Sequence, residues 1–131
     1  MYHKTNHRKF LLQAHIVIVT KYRRRLFSGS VPLSLKSTIT ELAQGLKFEV
    51  VTMETDKDHL HILISYDTTV CISDIVKHIK QKTTHHFWKK HPEIMRKHYW
   101  KKRLLWSDCY FACSVGDASA ETIQHYIENQ G

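Results

Sequence analysis

The stretch FEVVTMETDKDHLHILIS, residues 48–65, decides the fold. Phe48 to Glu54 is rich in β-branched and apolar residues and reads as a strand, the charged run Asp56-Lys57-Asp58 as a turn, and His59 to Ser65 as a second strand. Two strands so close in sequence predict an antiparallel hairpin. Upstream, Pro32 suits a first helical turn, and Leu35, Ile39, Leu42 and Leu46 recur at helical spacing up to the region of Gly45. Before that helix lies a strand, Phe10 to Thr20, which runs into the basic cluster Lys21-Tyr22-Arg23-Arg24-Arg25 and a turn at Ser28-Gly29-Ser30.

Downstream, Ser73 is the expected N-cap of a second helix. In that helix Ile72, Ile75, Val76, Ile79 and Phe87 face the core, Lys77, Lys80, Gln81, Lys82 and His85 face outward, and Pro92 marks the end. Residues 91–103 form a basic stretch with interleaved aromatics. Leu104-Leu105-Trp106 and Tyr110 to Val115 read as two further strands, Gly116-Asp117 as a turn, and Ala120 to Gln130 as a last helix capped by Asp117 or Ser119. The order β-α-β-β-α-β-β-α begins with the split βαβ arrangement. The expected fold is α+β: a ferredoxin-like (RRM-like) antiparallel sheet with helices packed on one face, followed by a tyrosine-bearing C-terminal helix.

A length of 131 residues with 42% apolar composition fits one domain spanning 1–131, with residues 1–9 as a loose basic arm or sheet edge. Twenty Lys and Arg against 12 Asp and Glu give a net charge of +8, which points to a polyanionic partner. No apolar run approaches the roughly 20 residues needed to cross a bilayer, and the N-terminus has no hydrophobic targeting core. Cys71, Cys109 and Cys113 form no CxxC pair and read as reduced core or near-core thiols of a cytoplasmic protein.

Alternation along a strand puts His59, His61 and Leu63 on one face and Leu60, Ile62 and Ile64 on the other. The two imidazoles stand about 7 Å apart at their Cα atoms, close enough to share one metal ion if a third ligand arrives from a neighbouring element. Taken alone, such a pair is more often two solvated or hydrogen-bonded histidines than a metal site. The last helix alters the balance, because Tyr126 and Gln130 lie one turn apart on a common face and offer a phenol and an amide oxygen together. Of the other tyrosines, Tyr22, Tyr66, Tyr99 and Tyr110 have no comparable ligand-capable partner. Asp58 reads equally well as a turn residue or as an acceptor that orders His59, and Glu54 as a less favoured extra ligand.

The blocks His15 to Arg24, Asp58-His59-Leu60-His61, Leu105-Trp106-Ser107-x-x-Tyr110-Phe111, Ser114-Val115-Gly116 and Tyr126-Ile127-Glu128-x-Gln130 occur in this order. Together they resemble the single-tyrosine HUH transposases, the TnpA-type enzymes of the smallest prokaryotic insertion sequences. One departure is Asp56-Lys57, where the family often has Met-Pro ahead of the Asp-His pair. The resemblance implies a metal-dependent transesterase acting on single-stranded DNA, with Tyr126 as nucleophile and His59, His61 and Gln130 as ligands of Mg²⁺ or Mn²⁺. It also implies a 5′-phosphotyrosine intermediate, DNA hairpins at transposon ends as partners, and a homodimer in which Tyr126 of one chain serves the histidines of the other.

Phosphate contacts are expected from Lys21, Arg23, Arg24 and Arg25 and from Lys77, Lys80 and Lys82, with Trp88, Tyr99 and Trp100 as candidates for stacking on unpaired bases. The competing readings are a non-catalytic single-stranded DNA- or RNA-binding module on the same topology and a domesticated relative that processes palindromes. Neither Ala14 to Thr20 nor His59 to Ser65 carries the aromatic signature of an RNA-recognition motif.

Overall fold

A computed structural model describes residues 3–5, 8–10, 12–115 and 120–129. The central sheet has four strands in the order β4-β5-β3-β6, with β3 Leu12–Val19, β4 Phe48–Asp56, β5 His59–Tyr66 and β6 Phe111–Ser114. Its helices are α1 Val31–Gly45, α2 Ile72–Lys90, α3 Pro92–His98 and α4 Ala120–Asn129. All pairings are antiparallel. The antiparallel α+β architecture is therefore the one expected. The basic N-terminal segment forms a small pairing of its own, β1 His3–Thr5 against β2 Arg8–Phe10.

Alternation divides the sheet into two surfaces. Ile16 and Ile18 of β3 and Leu60, Ile62 and Ile64 of β5 are fully buried against Leu35 and Ile39 of α1 and Ile75, Ile79 and Phe87 of α2. Each such side chain removed from water contributes about 1.5–3 kcal/mol, so this layer dominates stability. The opposite surface carries Val17 and Val19, over which α4 lays Ile123 and Ile127. The last helix thus packs on the side of the sheet away from α1 and α2.

Three local readings change. Leu104-Leu105-Trp106 is not a strand: its contact with β3 shrinks to a single bridge, Thr20 to Trp106, flanked by the bonds Lys21 N–H to Leu105 O (2.8 Å) and Ser107 N–H to Val19 O (2.8 Å). Pairing stops there because the chain leaves β3 through Tyr22 and Arg23, both in the left-handed region at φ 59° and 51°. Within the basic 91–103 stretch, Pro92 starts α3 and Met95 buries itself. Helix α2 begins at Ile72 with Cys71 as its N-cap residue, placing Ser73 inside the first turn. The proposed caps Asp117 and Ser119 lie outside the described residues.

Cys71 and Cys109 are exposed, not the core or near-core thiols expected, and Cys113 is half-buried; no disulfide joins the three. Among the described residues no helix is long and apolar enough to cross a membrane.

Candidate active site

The site-bearing surface is set by strand register. His59 pairs with Val19 of β3 and Asp56 of β4, and His61 with Val17 and Glu54. Directly paired residues share a face, so both histidines stand on the α4 side of the sheet with two carboxylates beside them. A bulge between Val50 and Thr52 sets this arrangement. Val50 pairs with core-facing Ile64, and if pairing ran on from it without a bulge Glu54 and Asp56 would share its face; the two-for-one step at Val51 returns them to the side of His59 and His61.

His59 is oriented by Asp58, whose Oδ1 lies 3.1 Å from Nδ1, while Oδ2 accepts from Arg23 Nε at 2.9 Å. Burial works to raise the Asp58 carboxyl, but the hydrogen bonds from His59 and Arg23, with their charges, outweigh it and hold Asp58 below the usual carboxylate range. An ionised carboxylate only accepts, so His59 Nδ1 carries a proton, and in the neutral ring that tautomer leaves the lone pair on Nε2. His61 meets a partner that the sequence reading did not single out: His15 Nδ1 lies 2.9 Å from His61 Nε2, with ring centroids 5.1 Å apart. Burial, and then His15, hold His61 below the ordinary imidazole value, which favours the neutral ring. The available signal was parity, since His15 shares its strand face with Val17 and Val19.

Tyr126 sits on the same surface but on the β6 side. Its ring packs on Phe111, centroids 5.1 Å apart, and Phe111 pairs with Val17 across β3 from His61. The hydroxyl is buried with no hydrogen-bond partner among the described residues, and burial raises its pKa. Within one chain the structure therefore brings His59 and His61 together without bonding Tyr126 to them. Gln130 lies outside the described residues.

Among the described residues no set of three His, Cys, Asp or Glu is gathered for a metal ion. The donors present nevertheless suit one. His59 offers an imidazole steadied by a carboxylate, burial favours the neutral ring of His61, and Glu54 stands beside it.

The description "Transposase IS200 like" belongs to a family whose sequence pattern matches residues 8–130. The chain belongs to the IS200-like transposases. It is 31% identical over 121 residues to the ISDra2 transposase TnpA of Deinococcus radiodurans, covering 92% of this chain and 85% of that one. A crystal structure of a Deinococcus radiodurans R1 protein described as a transposase superposes with a TM-score of 0.83 at 28% identity, covering 91% and 90% of the two chains. A REP-associated tyrosine transposase bound to a REP hairpin shares the fold, with a TM-score of 0.57 at 13% identity over 98% of this chain and 66% of that one.

In this IS200-like transposase the basic candidates fall into two groups. Arg24, Arg25, Lys77 and Lys82 are exposed. Lys21 pairs with Asp108 at 3.2 Å, Lys80 donates to Ser107 O at 2.8 Å and Asp108 O at 3.3 Å, and Arg23 is held by Asp58. The aromatics divide in the same way. Tyr99 is 3% exposed with its hydroxyl donating to Lys21 O, and Trp88 Nε1 donates to Leu104 O at 2.9 Å. Trp100 is 68% exposed, and Tyr22, first considered only as a competing nucleophile, is 62% exposed. Both line a cavity of about 550 Å³ with Lys21, Arg24, Lys101 and Lys102 around it.

Proposed function

We propose that this IS200-like transposase cuts and rejoins single-stranded DNA at hairpin-bearing transposon ends through a covalent tyrosine intermediate. The observation that carries the reading is the pair His59 and His61 on the sheet face that also receives the tyrosine-bearing helix. In the step envisaged, Tyr126 Oη attacks the scissile phosphorus and the P–O3′ bond breaks. The 3′ oxygen leaves with a proton as a 3′-OH, and the 5′-phosphate stays on Tyr126. A second 3′-OH then attacks the phosphotyrosine and returns the phenol, so the bond energy is kept and no nucleotide cofactor is consumed.

His59, His61 and Gln130 would hold Mg²⁺ or Mn²⁺, which when bound polarises the phosphate and orients the leaving oxygen. Asp58 keeps His59 in the tautomer that presents Nε2. The setting of Tyr126 against Phe111, across β3 from His61, supports a homodimer in which Tyr126 of one chain serves the histidines of its partner. Arg24, Arg25, Lys77 and Lys82 supply phosphate contacts, and Tyr22 and Trp100 supply faces on which unpaired bases stack. With no membrane-spanning helix among the described residues, the cytoplasm, where the DNA lies, is the proposed compartment.

The test is to incubate the purified protein with single-stranded oligonucleotides from its own genomic flanks and Mg²⁺ or Mn²⁺, then look for an adduct that survives denaturation. Wild type yields the adduct and Tyr126→Phe yields none. An adduct at full yield from Tyr126→Phe removes the nucleophile assignment, and full metal-dependent cleavage by His59→Ala or His61→Ala removes the ligand assignment.

A further inference from the structure

Arg23 stands in the densest basic run of the sequence, yet its side chain points inward. Its Nε donates to Asp58 Oδ2 at 2.9 Å, and its Nη1 donates to the main-chain carbonyl of Ile127, the residue after Tyr126. Asp58, through its other oxygen, holds His59 Nδ1 at 3.1 Å. One guanidinium therefore joins the last turn of α4 to the carboxylate that orients His59. We propose that Arg23 is a positioning residue that makes the seating of the tyrosine helix and the orientation of His59 a single, coupled arrangement, rather than a contact for DNA phosphate. The inference rests on the proposed roles of Tyr126 and His59.

Three features support the assignment. A helix ends in carbonyls without intrahelical partners and carries partial negative charge there, and α4 has no basic residue in its own last turn. Arg23 provides that cation from another element. The planar fork serves two acceptors in fixed directions at once, which the single ammonium of lysine does not reproduce. Finally, the backbone that aims it is strained and firmly held. Tyr22 and Arg23 both adopt left-handed φ, while Arg23 N–H donates to Thr20 O at 3.0 Å, Thr20 Oγ1 to Arg24 O at 2.7 Å, Lys21 N–H to Leu105 O at 2.8 Å and Tyr99 OH to Lys21 O at 2.8 Å. Non-glycine residues persist in such a conformation where the surroundings over-determine it, and here the result is a side chain directed at Asp58 and α4.

The test compares wild type, Arg23→Lys, Arg23→Gln and Asp58→Asn. Three quantities are read: amide exchange in α4 of the metal-free protein, Mn²⁺ binding to the protein without DNA, and affinity for a single-stranded oligonucleotide. Arg23→Lys keeps the charge and is the variant that best preserves folding. It is expected to speed α4 exchange at least about tenfold and to weaken Mn²⁺ binding by about 10–100-fold, the usual effect of losing a partner of a metal-bound histidine. Its oligonucleotide affinity stays within about twofold of wild type, as expected for a group engaged internally. Asp58→Asn weakens Mn²⁺ binding similarly, and combining it with Arg23→Lys adds little further loss. The proposal is overturned if Arg23→Lys leaves both α4 exchange and Mn²⁺ binding unchanged, or if Arg23→Gln lowers only oligonucleotide affinity. A wild-type protein that forms no adduct defeats the functional reading instead, and the α4 exchange arm still decides the coupling.

Discussion

The ring of Tyr126 lies against Phe111 with centroids 5.1 Å apart and an interplanar angle of 37°, and its hydroxyl is buried without a hydrogen-bond partner among the described residues. A buried donor left unsatisfied costs about 1–3 kcal/mol, so removing it relieves a penalty. Tyr126→Phe is therefore expected to melt at or slightly above the wild-type temperature while losing adduct formation altogether. Calorimetry and a denaturing gel read the two effects separately, and a large fall in melting temperature would contradict the packing.

Burial raises the Tyr126 phenol, and burial also pushes Tyr99 well above the ordinary tyrosine value. A group whose folded pKa exceeds its unfolded value contributes its full stability below the unfolded value, near 10, and loses it as pH rises through the folded one. Stability should accordingly fall steeply only above about pH 10. Tyr126→Phe should make that fall shallower, as measured by denaturant titrations at pH 8 and at increasing alkaline pH.

Trp100 and Tyr22 are the exposed aromatics of the cavity beside the basic cluster. Stacking is worth about 1–3 kcal/mol per base, so Trp100→Ala and Tyr22→Ala should each weaken oligonucleotide binding by about 5–150-fold with small effects on melting. Tyr99→Ala should instead destabilise the fold, because Tyr99 fastens the turn that carries Lys21. Fluorescence anisotropy alongside thermal melts distinguishes these outcomes.

Lys77 and Lys82 extend from α2 into solvent, whereas Lys80 folds back onto Ser107 and Asp108. Replacing Lys77 or Lys82 by Ala should reduce the slope of log affinity against log salt by about 0.7 each. Lys80→Ala should lower stability more than it lowers that slope. Binding isotherms at four salt concentrations provide the comparison.

The proposed metal role predicts ligand-linked stabilisation. Saturating Mn²⁺ at 100 times its dissociation constant should raise wild-type stability by about 2.7 kcal/mol, and EDTA should reverse it. His59→Ala and His61→Ala should show little or no such rise. An equal Mn²⁺ effect in all three proteins would place the ion elsewhere.

The hairpin and the sidedness of His59 and His61 were legible in the sequence because strict alternation in HLHILIS fixes which side chains share a face. Helix α2 was legible for the same reason, its buried Ile75, Val76, Ile79 and Phe87 following the helical period. Helix α3 was obscured because Met95 is its one fully buried side chain amid charged neighbours. Leu104-Leu105-Trp106 misled in the opposite way: Leu105 and Trp106 are buried by contacts with α2 and the Lys21 turn, and burial alone does not make a strand. The inward roles of Arg23 and Lys80 depend on contacts 27 to 104 residues away along the chain, which no local run of charge reports.

The bulge at Val51 makes the residue count of β4 part of the chemistry. Were pairing to run on from Val50 without the bulge, Val51 would take the place of Thr52 opposite Leu63 and every later side chain of the strand would turn over, sending Glu54 toward the oily layer and Met53 opposite His61. A register slipped by one residue would thus exchange acid for thioether beside the histidines without a single substitution.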